Sequence, residues 1–228
     1  MKAVILSAGF GSRLQAPLPK SLVRFSSGKC LLDYQLEGLK NLVPLQDIFI
    51  VVGFKKELIM HAAPSCSFLP NDLFDRTNTA KSLALALGQL DDDVMWMNGD
   101  VYAEPDILER VVTAQGNVIL ADRAHVADEE VCYTTNGNGQ VVRLAKKLSN
   151  AEGEALGINK VQRKDVKALT ELLLEVNDTD YFERGIELGI ERGRFSFGIA
   201  DSGGQFVKEM DFQADLDVIE AYLAKKKS

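Results

Sequence analysis

Near its amino terminus the sequence reads Leu6-Ser7-Ala8-Gly9-Phe10-Gly11-Ser12-Arg13-Leu14, and Pro19-Lys20 follows. The loop comes directly after the short apolar run from Lys2 to Ser7, which is typical of a buried parallel strand. Glycines after such a strand let backbone N–H groups approach an anion closely, because no Cβ blocks the way. Arg13 and Lys20 bring permanent positive charge to the same loop. The sequence therefore predicts a strand that leads into a triphosphate-binding loop.

Two other phosphate-binding motifs do not fit this chain. The dinucleotide fingerprint G-x-G-x-x-G would need a glycine at the position of Leu14. The P-loop pattern fails at Gly28-Lys29, because Val23 stands before it and Cys30 after it. A plain glycine turn with basic surface residues is the structural alternative, and the full string at the end of a strand favours the phosphate-binding interpretation.

Strand-like and helix-like segments alternate after this loop. Further strands are predicted at Ile48–Val52, Val94–Met97 and Asn117–Ala121. Helices are predicted at Leu31–Leu42, Lys55–His61, Thr79–Leu90 and Pro105–Thr113. This alternation predicts an α/β fold, with a doubly wound, mostly parallel sheet covered by helices on both faces.

From Glu130 the pattern changes to antiparallel signals. Hairpins are predicted at Val131–Thr135 with Gln140–Leu144, and at Arg194–Ala200 with Gln205–Glu209. A strand is predicted at Glu154–Val161, and helices at Lys164–Glu175, Tyr181–Glu191 and Ala214–Lys226. Because no repeat or linker is visible, we expect residues 1–228 to form a single domain with a small antiparallel portion in its C-terminal half.

The composition excludes several classes of function. The net charge is −7 and the pI about 5.0, so the chain lacks the basic surface that a nucleic-acid-binding protein needs. Cys30, Cys66 and Cys132 are widely spaced, which favours free thiols in a reducing compartment over a disulfide frame or a zinc site. No long apolar stretch is present, so neither a signal peptide nor a membrane partner is expected. These features predict a cytoplasmic protein.

Two aspartates stand where a metal ion could be held. The third predicted strand runs into Asn98-Gly99-Asp100, which places a carboxylate at the edge of the sheet where α/β proteins bind ligands. Asp211 follows the last predicted strand. Mg²⁺ is commonly bound by one or two carboxylates together with substrate phosphates, so Asp100 and Asp211 are candidate metal ligands. Helix capping is the alternative for Asp211, and Asp215 is expected to act only on the helix dipole.

The opening loop resembles the signature L-[AS]-[AG]-G-x-G-[ST]-R-L, then P-K, of the nucleotidyltransferase superfamily. This superfamily includes sugar-1-phosphate nucleotidylyltransferases and phosphocholine cytidylyltransferases. The resemblance implies a Rossmann-like nucleotidyltransferase fold, a nucleoside triphosphate partner and Mg²⁺ as cofactor. It assigns catalytic roles to Arg13 and Lys20 at the phosphates and to Asp100 and Asp211 at the metal. The nucleotide-binding positions that it implies are Leu6, Ala8, Gly9, Phe10, Gly11, Ser12, Arg13, Lys20, Asn78, Thr79, Ser82 and Gly99. The spacer 15–18 is shorter than in many relatives.

Later segments resemble the phosphocholine cytidylyltransferase branch, which implies CTP as the nucleotide. In that branch the segment Asn78-Thr79, with Ser82, lines the base pocket, although these residues could also simply cap a helix. The strand containing Glu154 and Gly157 is expected to contact the acceptor. Tyr181 and Glu183 could bind an ammonium head group, or could pack and serve a helix dipole. Lys146 and Lys147 could meet a substrate phosphate, or could form a solvated pair.

The sequence therefore leaves three functions to compare. The first is a Mg²⁺-dependent enzyme that transfers a nucleoside monophosphate from CTP to phosphocholine or a related amino-alcohol phosphate or phosphonate. The second is a sugar-1-phosphate nucleotidylyltransferase that uses UTP, dTTP or GTP. The third is a catalytically silent nucleotide-binding regulatory protein of the same fold. The oligomeric state is left open, with a homodimer as one alternative.

Overall fold

The first strand, β1 (Lys2–Ser7), lies inside the sheet, with a parallel neighbour on each side. This computed structural model describes residues 1–11, 17–124 and 130–226. The other strands are β2 (Ile48–Val52), β3 (Ser67–Pro70), β4 (Val94–Asn98), β5 (Val101–Ala103), β6 (Asn117–Asp122), β7 (Val131–Thr135), β8 (Val141–Lys146), β9 (Gly153–Val161), β10 (Phe197–Asp201) and β11 (Val207–Glu209). The α-helices are α1 (Leu31–Leu39), α2 (Lys56–Ala62), α3 (Thr79–Leu87), α4 (Pro105–Thr113), α5 (Arg163–Glu175), α6 (Phe182–Glu191) and α7 (Gln213–Lys226).

The main sheet combines parallel and antiparallel pairing. Its central path runs β10-β6-β9-β4-β1-β2-β3. The pairs β1·β2, β1·β4, β2·β3 and β6·β10 are parallel, whereas β9 is antiparallel to both β4 and β6. The hairpin of β7 and β8 extends this sheet through β9, as predicted for the C-terminal half. The predicted fold class is confirmed.

Helices cover both faces of this sheet. Val4 and Leu6 of β1 pack into a core that includes residues of α3, α5 and α6, while Ala3 and Ile5 pack into a second core with α1 and α4. Because successive side chains of a strand point to opposite faces, a strand buried on both sides must be apolar throughout. This explains the unbroken apolar run that was read from the sequence.

The second predicted hairpin is wrong. β10 pairs in parallel with β6, and β11 pairs antiparallel with β5 in a separate two-stranded sheet. The segment around Ser202-Gly203-Gly204 is a turn, and the backbone N–H of Ser202 donates to the carbonyl of Ala121, 2.9 Å away. Glycines in a turn favour a change of direction, but they do not determine which strands pair afterwards. β3 and β5 were not predicted.

Two helices end earlier than predicted. α1 ends at Leu39 and α3 at Leu87, and the apolar residues that follow them, such as Val43 and Leu90, enter the core from turns. Burial of apolar side chains therefore continues past the end of the helical backbone, which periodicity alone does not distinguish. Cys30, Cys66 and Cys132 all lie in the described ranges, and no disulfide joins them there. Within the described ranges, no helix is both long and apolar enough to cross a membrane.

Candidate active site

A cavity of about 710 Å³ opens at the carboxyl ends of β1 and β4. This is the edge at which open α/β sheets bind ligands. The described part of the glycine loop forms one wall, with Leu6, Gly9 and Gly11 in the lining. Gly11 has a φ of +60°, and a Cβ there would collide with the side chain of Lys20. The loop is therefore shaped to let the Lys20 side chain lie close to the backbone.

The other predicted residues of the loop lie away from the cavity lining or outside the described residues. Ala8 is buried, and its carbonyl accepts a hydrogen bond from the N–H of Phe54. Phe10 is exposed, and its ring packs against the rings of Phe54 and Phe74. Ser12 and Arg13 lie outside the residues that the structure describes.

Gly99 allows the ends of the two central strands to meet. Its N–H donates to the carbonyl of Leu6 at 2.9 Å, and a Cβ at this position would lie only 2.8 Å from the same oxygen. That separation is too short for a side chain. The glycine therefore places Asp100 directly beside the end of β1.

Lys20, Asp100 and Asp211 converge inside the cavity. The Nζ of Lys20 lies 3.2 Å from Oδ2 of Asp100, and it also donates to Oδ1 of Asp211. Burial by itself lowers the pKa of Lys20, but the two carboxylates outweigh it and hold the pKa above its ordinary value. Lys20 is therefore a protonated cation between two carboxylates.

Backbone pairing of β5 with β11 brings Asp211 to Asp100. Val101 lies opposite Glu209 in this ladder, and the N–H of Met210 donates to the carbonyl of Asp100 at 2.8 Å. Asp215 accepts hydrogen bonds from the N–H groups of Asp211 and Phe212, at 3.0 and 2.8 Å. Asp215 thus serves the start of α7, as predicted. The carboxylate of Asp211 points to Lys20 instead.

The start of α3 is tied to the segment that precedes α6. Asn78 caps α3 through its side chain, and its backbone N–H donates to the carbonyl of Asp178 at 2.8 Å. The hydroxyl of Thr79 accepts from the N–H of Phe182 at 3.1 Å. The cap of α3 is therefore present, and Asn78 and Thr79 also line the cavity, where a base-pocket role stays a prediction. Ser82 is buried away from the lining, where it accepts a hydrogen bond from Asn71.

The residues predicted for an acceptor divide into two groups. Gly157, Tyr181 and Glu183 line the cavity, and Glu154 does not. Gly157 has a φ of +67°, and a Cβ there would lie 2.7 Å from Nδ2 of Asn98. Both the close approach and the backbone conformation therefore require glycine at this position.

Asn98, Glu130 and Glu209 line the cavity and were not predicted as site residues. Lys146, which was considered for a substrate phosphate, also lines it, and its Nζ lies 5.2 Å from the centre of the Tyr181 ring. Lys147 is not in the lining, and both lysines are exposed, which is compatible with a solvated pair. Glu209 is the last residue of β11 and lies two positions before the candidate Asp211, so its closeness in sequence was the available signal.

The carboxyl groups of this cavity raise one another's pKa. Burial raises the pKa of Glu209, and the negative charges of Asp100 and Glu130 add to the effect. Burial raises the pKa of Glu183 to about 7, against the opposing influence of Lys146. Glu183 is only 9% exposed and lies in the first turn of α6.

Replacement of Glu183 by glutamine is expected to stabilise the free protein at high pH. The ordinary pKa is 4.5, so between pH 4.5 and about 7 the unfolded chain loses a proton that the folded chain keeps. The stability of the wild-type protein therefore falls as the pH rises through this window. Glutamine does not titrate, so the stability of Glu183→Gln should not fall for this reason. Lys146 and Glu130 are the charged groups that influence this carboxyl most.

The unfolding free energy of Glu183→Gln should exceed that of the wild-type protein by on the order of 3 kcal/mol at pH 8. This difference should vanish below about pH 4.5. Denaturant unfolding at pH 4.5 and pH 8 measures it. Glu191→Gln, on the exposed side of the same helix, is the control and should change little at either pH. If Glu183→Gln changed the unfolding free energy equally at pH 4.5 and pH 8, the raised pKa of Glu183 would be contradicted.

The sequence family agrees with this geometry. The model of the MobA-like NTP transferase domain matches residues 3–171, which is most of the chain and includes Lys20 and Asp100. The chain belongs to this family. The predicted nucleotidyltransferase class is thereby confirmed, and Asp211 lies beyond the matched segment.

Characterised members of the nucleotidyltransferases match at moderate identity. CMP-5'-(3-aminopropyl)phosphonate synthase of Streptomyces rubellomurinus is 34% identical over 133 residues, which covers 54% of this chain and 21% of that protein. CTP:phosphoglutamine cytidylyltransferase of Campylobacter jejuni is 27% identical over 70% of this chain and 72% of its own length. The bifunctional protein GlmU of Bordetella bronchiseptica is 30% identical over 78% of this chain and 37% of its own length. The chain thus spans only a minor part of the first and third of these relatives.

Solved structures of the same class share the fold. The CTP:phosphocholine cytidylyltransferase of Streptococcus pneumoniae (LicC) superposes with a TM-score of 0.76 at 20% identity, covering 97% of this chain and 98% of that one. The inositol-1-phosphate CTP transferase of T. maritima gives a TM-score of 0.80 at 16% identity, covering 100% and 96%. At these identities the likeness establishes the fold of this family member and nothing finer.

Proposed function

We propose that this protein transfers a nucleoside monophosphate from a nucleoside triphosphate, with CTP favoured, to a small phosphorylated acceptor such as phosphocholine or a related amino-alcohol phosphate or phosphonate. Pyrophosphate is released. The observation that carries this proposal is the meeting of Lys20, Asp100 and Asp211 beside the glycine loop. These groups come from distant parts of the chain, and folding brings them together at the edge of the sheet where open α/β sheets bind ligands.

The chemistry requires few protein groups. An oxygen of the acceptor's phosphate or phosphonate attacks the α-phosphorus and forms a new P–O bond. The bond from the α-phosphorus to the oxygen that bridges to the β-phosphorus breaks, and pyrophosphate leaves. Because the attacking oxygen is already anionic near neutral pH, no protein base is needed. Catalysis then depends on positioning and on neutralising negative charge.

Lys20 supplies part of that positive charge from this chain. Its ammonium is held at the end of β1, where Gly9 and Gly11 of the glycine loop also line the cavity. Arg13 is proposed to act on the departing phosphates. These residues bind charge that is already on the nucleotide and charge that develops on pyrophosphate.

Mg²⁺ is the proposed cofactor, and the donor set fits it. Asp100 and Asp211 both pair with the ammonium of Lys20, so their carboxylates lie close enough together to hold one cation. Among the residues that the structure describes, no group of three or more acidic, histidine or cysteine side chains is arranged for a metal. Two carboxylates with water and phosphate oxygens complete the sphere that Mg²⁺ prefers. When bound, the ion neutralises charge on the nucleotide phosphates.

The preference for CTP rests on the relatives and not on a contact in the cavity. The names of the Streptomyces and Campylobacter relatives contain CMP or CTP, and both structural neighbours are named for CTP. Asn78 and Thr79 are the proposed base-pocket residues that line the cavity.

The test is a matrix of the four ribonucleoside triphosphates and dTTP against phosphorylated acceptors, with Mg²⁺, in which pyrophosphate is measured. We expect release with CTP and amino-alcohol phosphates or phosphonates, and its loss when the metal is chelated. Release only with sugar 1-phosphates and UTP, dTTP or GTP would replace the proposed acceptor class. No release with any pair would favour a silent nucleotide-binding protein.

A further inference from the structure

Glu183 is a buried acid that has no cationic partner among the residues that the structure describes. The residue lines the cavity from the first turn of α6, where its own backbone N–H lies close enough to lower the pKa of the carboxyl. Within the described residues no arginine, lysine or histidine forms an ion pair with it. A buried carboxylate is costly unless a positive group or several donors satisfy it.

Glu187 shows how the same helix treats a buried acid that has a structural role. Its side chain is 5% exposed and pairs with Arg143 at 3.1 Å and with Arg184 at 2.7 Å. One turn before it, Glu183 is similarly buried and has no such pair. The contrast on one helix indicates that the partner of Glu183 comes from outside the protein.

The surroundings of Glu183 are negative. Glu130 lines the same cavity and lies close enough to raise the pKa of Glu183, and Lys146 is the nearby positive group. The Nζ of Lys146 faces the ring of Tyr181 rather than forming an ion pair with either acid. With both acids ionised, this end of the cavity carries an excess negative charge that one ligand cation would neutralise.

Aromatic enclosure would be needed for a quaternary ammonium, because such an ion has no N–H and binds mainly to aromatic faces. The aromatic residues of the described lining are Tyr181 and Phe212, which are 44% and 54% exposed. The Tyr181 ring already faces a lysine. The cavity lining instead contains several carboxylate groups, and carboxylate oxygens form charge-assisted hydrogen bonds to N–H donors.

We propose that the acceptor carries a primary ammonium group, which donates hydrogen bonds to Glu183 and Glu130, and that the cavity selects this group over trimethylammonium. The inference rests on the proposed nucleotidyl transfer and narrows its acceptor. Trimethylammonium would leave the buried carboxylate without a donor, and a site built to hydrogen-bond one group discriminates strongly against analogues that lack it.

The experiment compares phosphorylated acceptors that differ at one end only. These are ω-aminoalkyl phosphates with two or three methylenes, their trimethylammonium derivatives, and the neutral ω-hydroxyalkyl phosphates. With CTP and Mg²⁺, kcat/KM of the wild-type protein is expected to be about 10²-fold higher for the best primary amine than for its trimethyl derivative. The substitution Glu183→Gln should lower kcat/KM about 10²-fold for the primary amine and less than about 3-fold for the hydroxyl compound.

Glu191→Gln is the matched control, because Glu191 is an exposed acid on the same helix and forms an ion pair with Arg184. It should behave as wild type with every acceptor. Equal kcat/KM for the primary amine and its trimethyl derivative would overturn the inference. An equal loss with charged and neutral acceptors in Glu183→Gln would overturn it as well. In both outcomes nucleotidyl transfer itself would stand.

Failure of the proposed function is recognised separately, as absence of pyrophosphate with every acceptor in the wild-type protein. Calorimetric titration of the aminoalkyl phosphates then tests the ammonium site directly. Binding to the wild-type protein that is lost in Glu183→Gln and retained in Glu191→Gln supports the site. No binding to the wild-type protein, or equal binding to all three proteins, rejects it.

Discussion

Asp100→Asn is expected to lower kcat by about 10³-fold, the scale on which single charge-stabilising groups act in enzymes, while the protein stays folded. The substitution keeps the size of the side chain and removes one of the two carboxylates that pair with the Lys20 ammonium. The carbonyl of Asp100 would still accept from the N–H of Met210, so the backbone that joins the two aspartates should remain. The loss should therefore fall on metal and phosphate binding and not on folding.

Steady-state pyrophosphate release at saturating CTP and acceptor measures this effect, with circular dichroism to verify the fold. Raising the Mg²⁺ concentration should not restore kcat, because the missing ligand lies at the reacting phosphates. Asp106→Asn is the control, since Asp106 is an exposed acid in the first turn of α4 and should leave kcat unchanged. A kcat within about tenfold of wild type for Asp100→Asn would remove Asp100 from the proposed machinery.

The fold could be predicted where local sequence carries the information. The strand β1 and its loop, β2, β4 and the β7–β8 hairpin were all recognised, because a strand buried on both faces is apolar throughout and turn residues mark its ends. The pairing of β10 and β11 could not be predicted this way. Both strands find partners far along the chain, in β6 and β5, and the turn between them contains no information about those partners.

In the candidate site, too, some features follow from local sequence and others only from contacts between distant parts of the chain. Lys20 and Asp100 follow motifs that stand at strand ends, and such ends share one edge of a parallel sheet. Their contact joins residues 80 positions apart, and the contact of Lys20 with Asp211 joins residues 191 apart. Glu130 comes from a segment without a motif, so only the folded chain shows that it lies in the same cavity as Glu183. Motifs therefore predicted Lys20 and Asp100, whereas the position of Glu130 could be read only from the folded chain.

Lys20→Ala is expected to lower both activity and stability, and Mg²⁺ should restore the stability alone. Lys20 is 13% exposed along its side chain and is the cation shared by Asp100 and Asp211. Without it, two carboxylates face each other with little solvent, and breaking such a partly buried arrangement costs about 3 kcal/mol. Loss of the ammonium should also lower kcat by about 10²-fold or more, because it removes positive charge from the phosphates.

Thermal unfolding with and without Mg²⁺ measures the effect of Lys20 on stability separately from its effect on activity. Mg²⁺ should raise Tm more in Lys20→Ala than in wild type, because in the variant the carboxylates have no competing cation. The double variant Lys20→Ala with Asp211→Asn should regain part of the lost stability without metal, since it removes the repulsion between the two acids. Lys29→Ala, at an exposed lysine paired with Glu37, is the control and should show neither effect. If Mg²⁺ shifted Tm equally in wild type and Lys20→Ala, Lys20 and the metal would not share these two carboxylates, and the proposed metal site would have to be placed elsewhere.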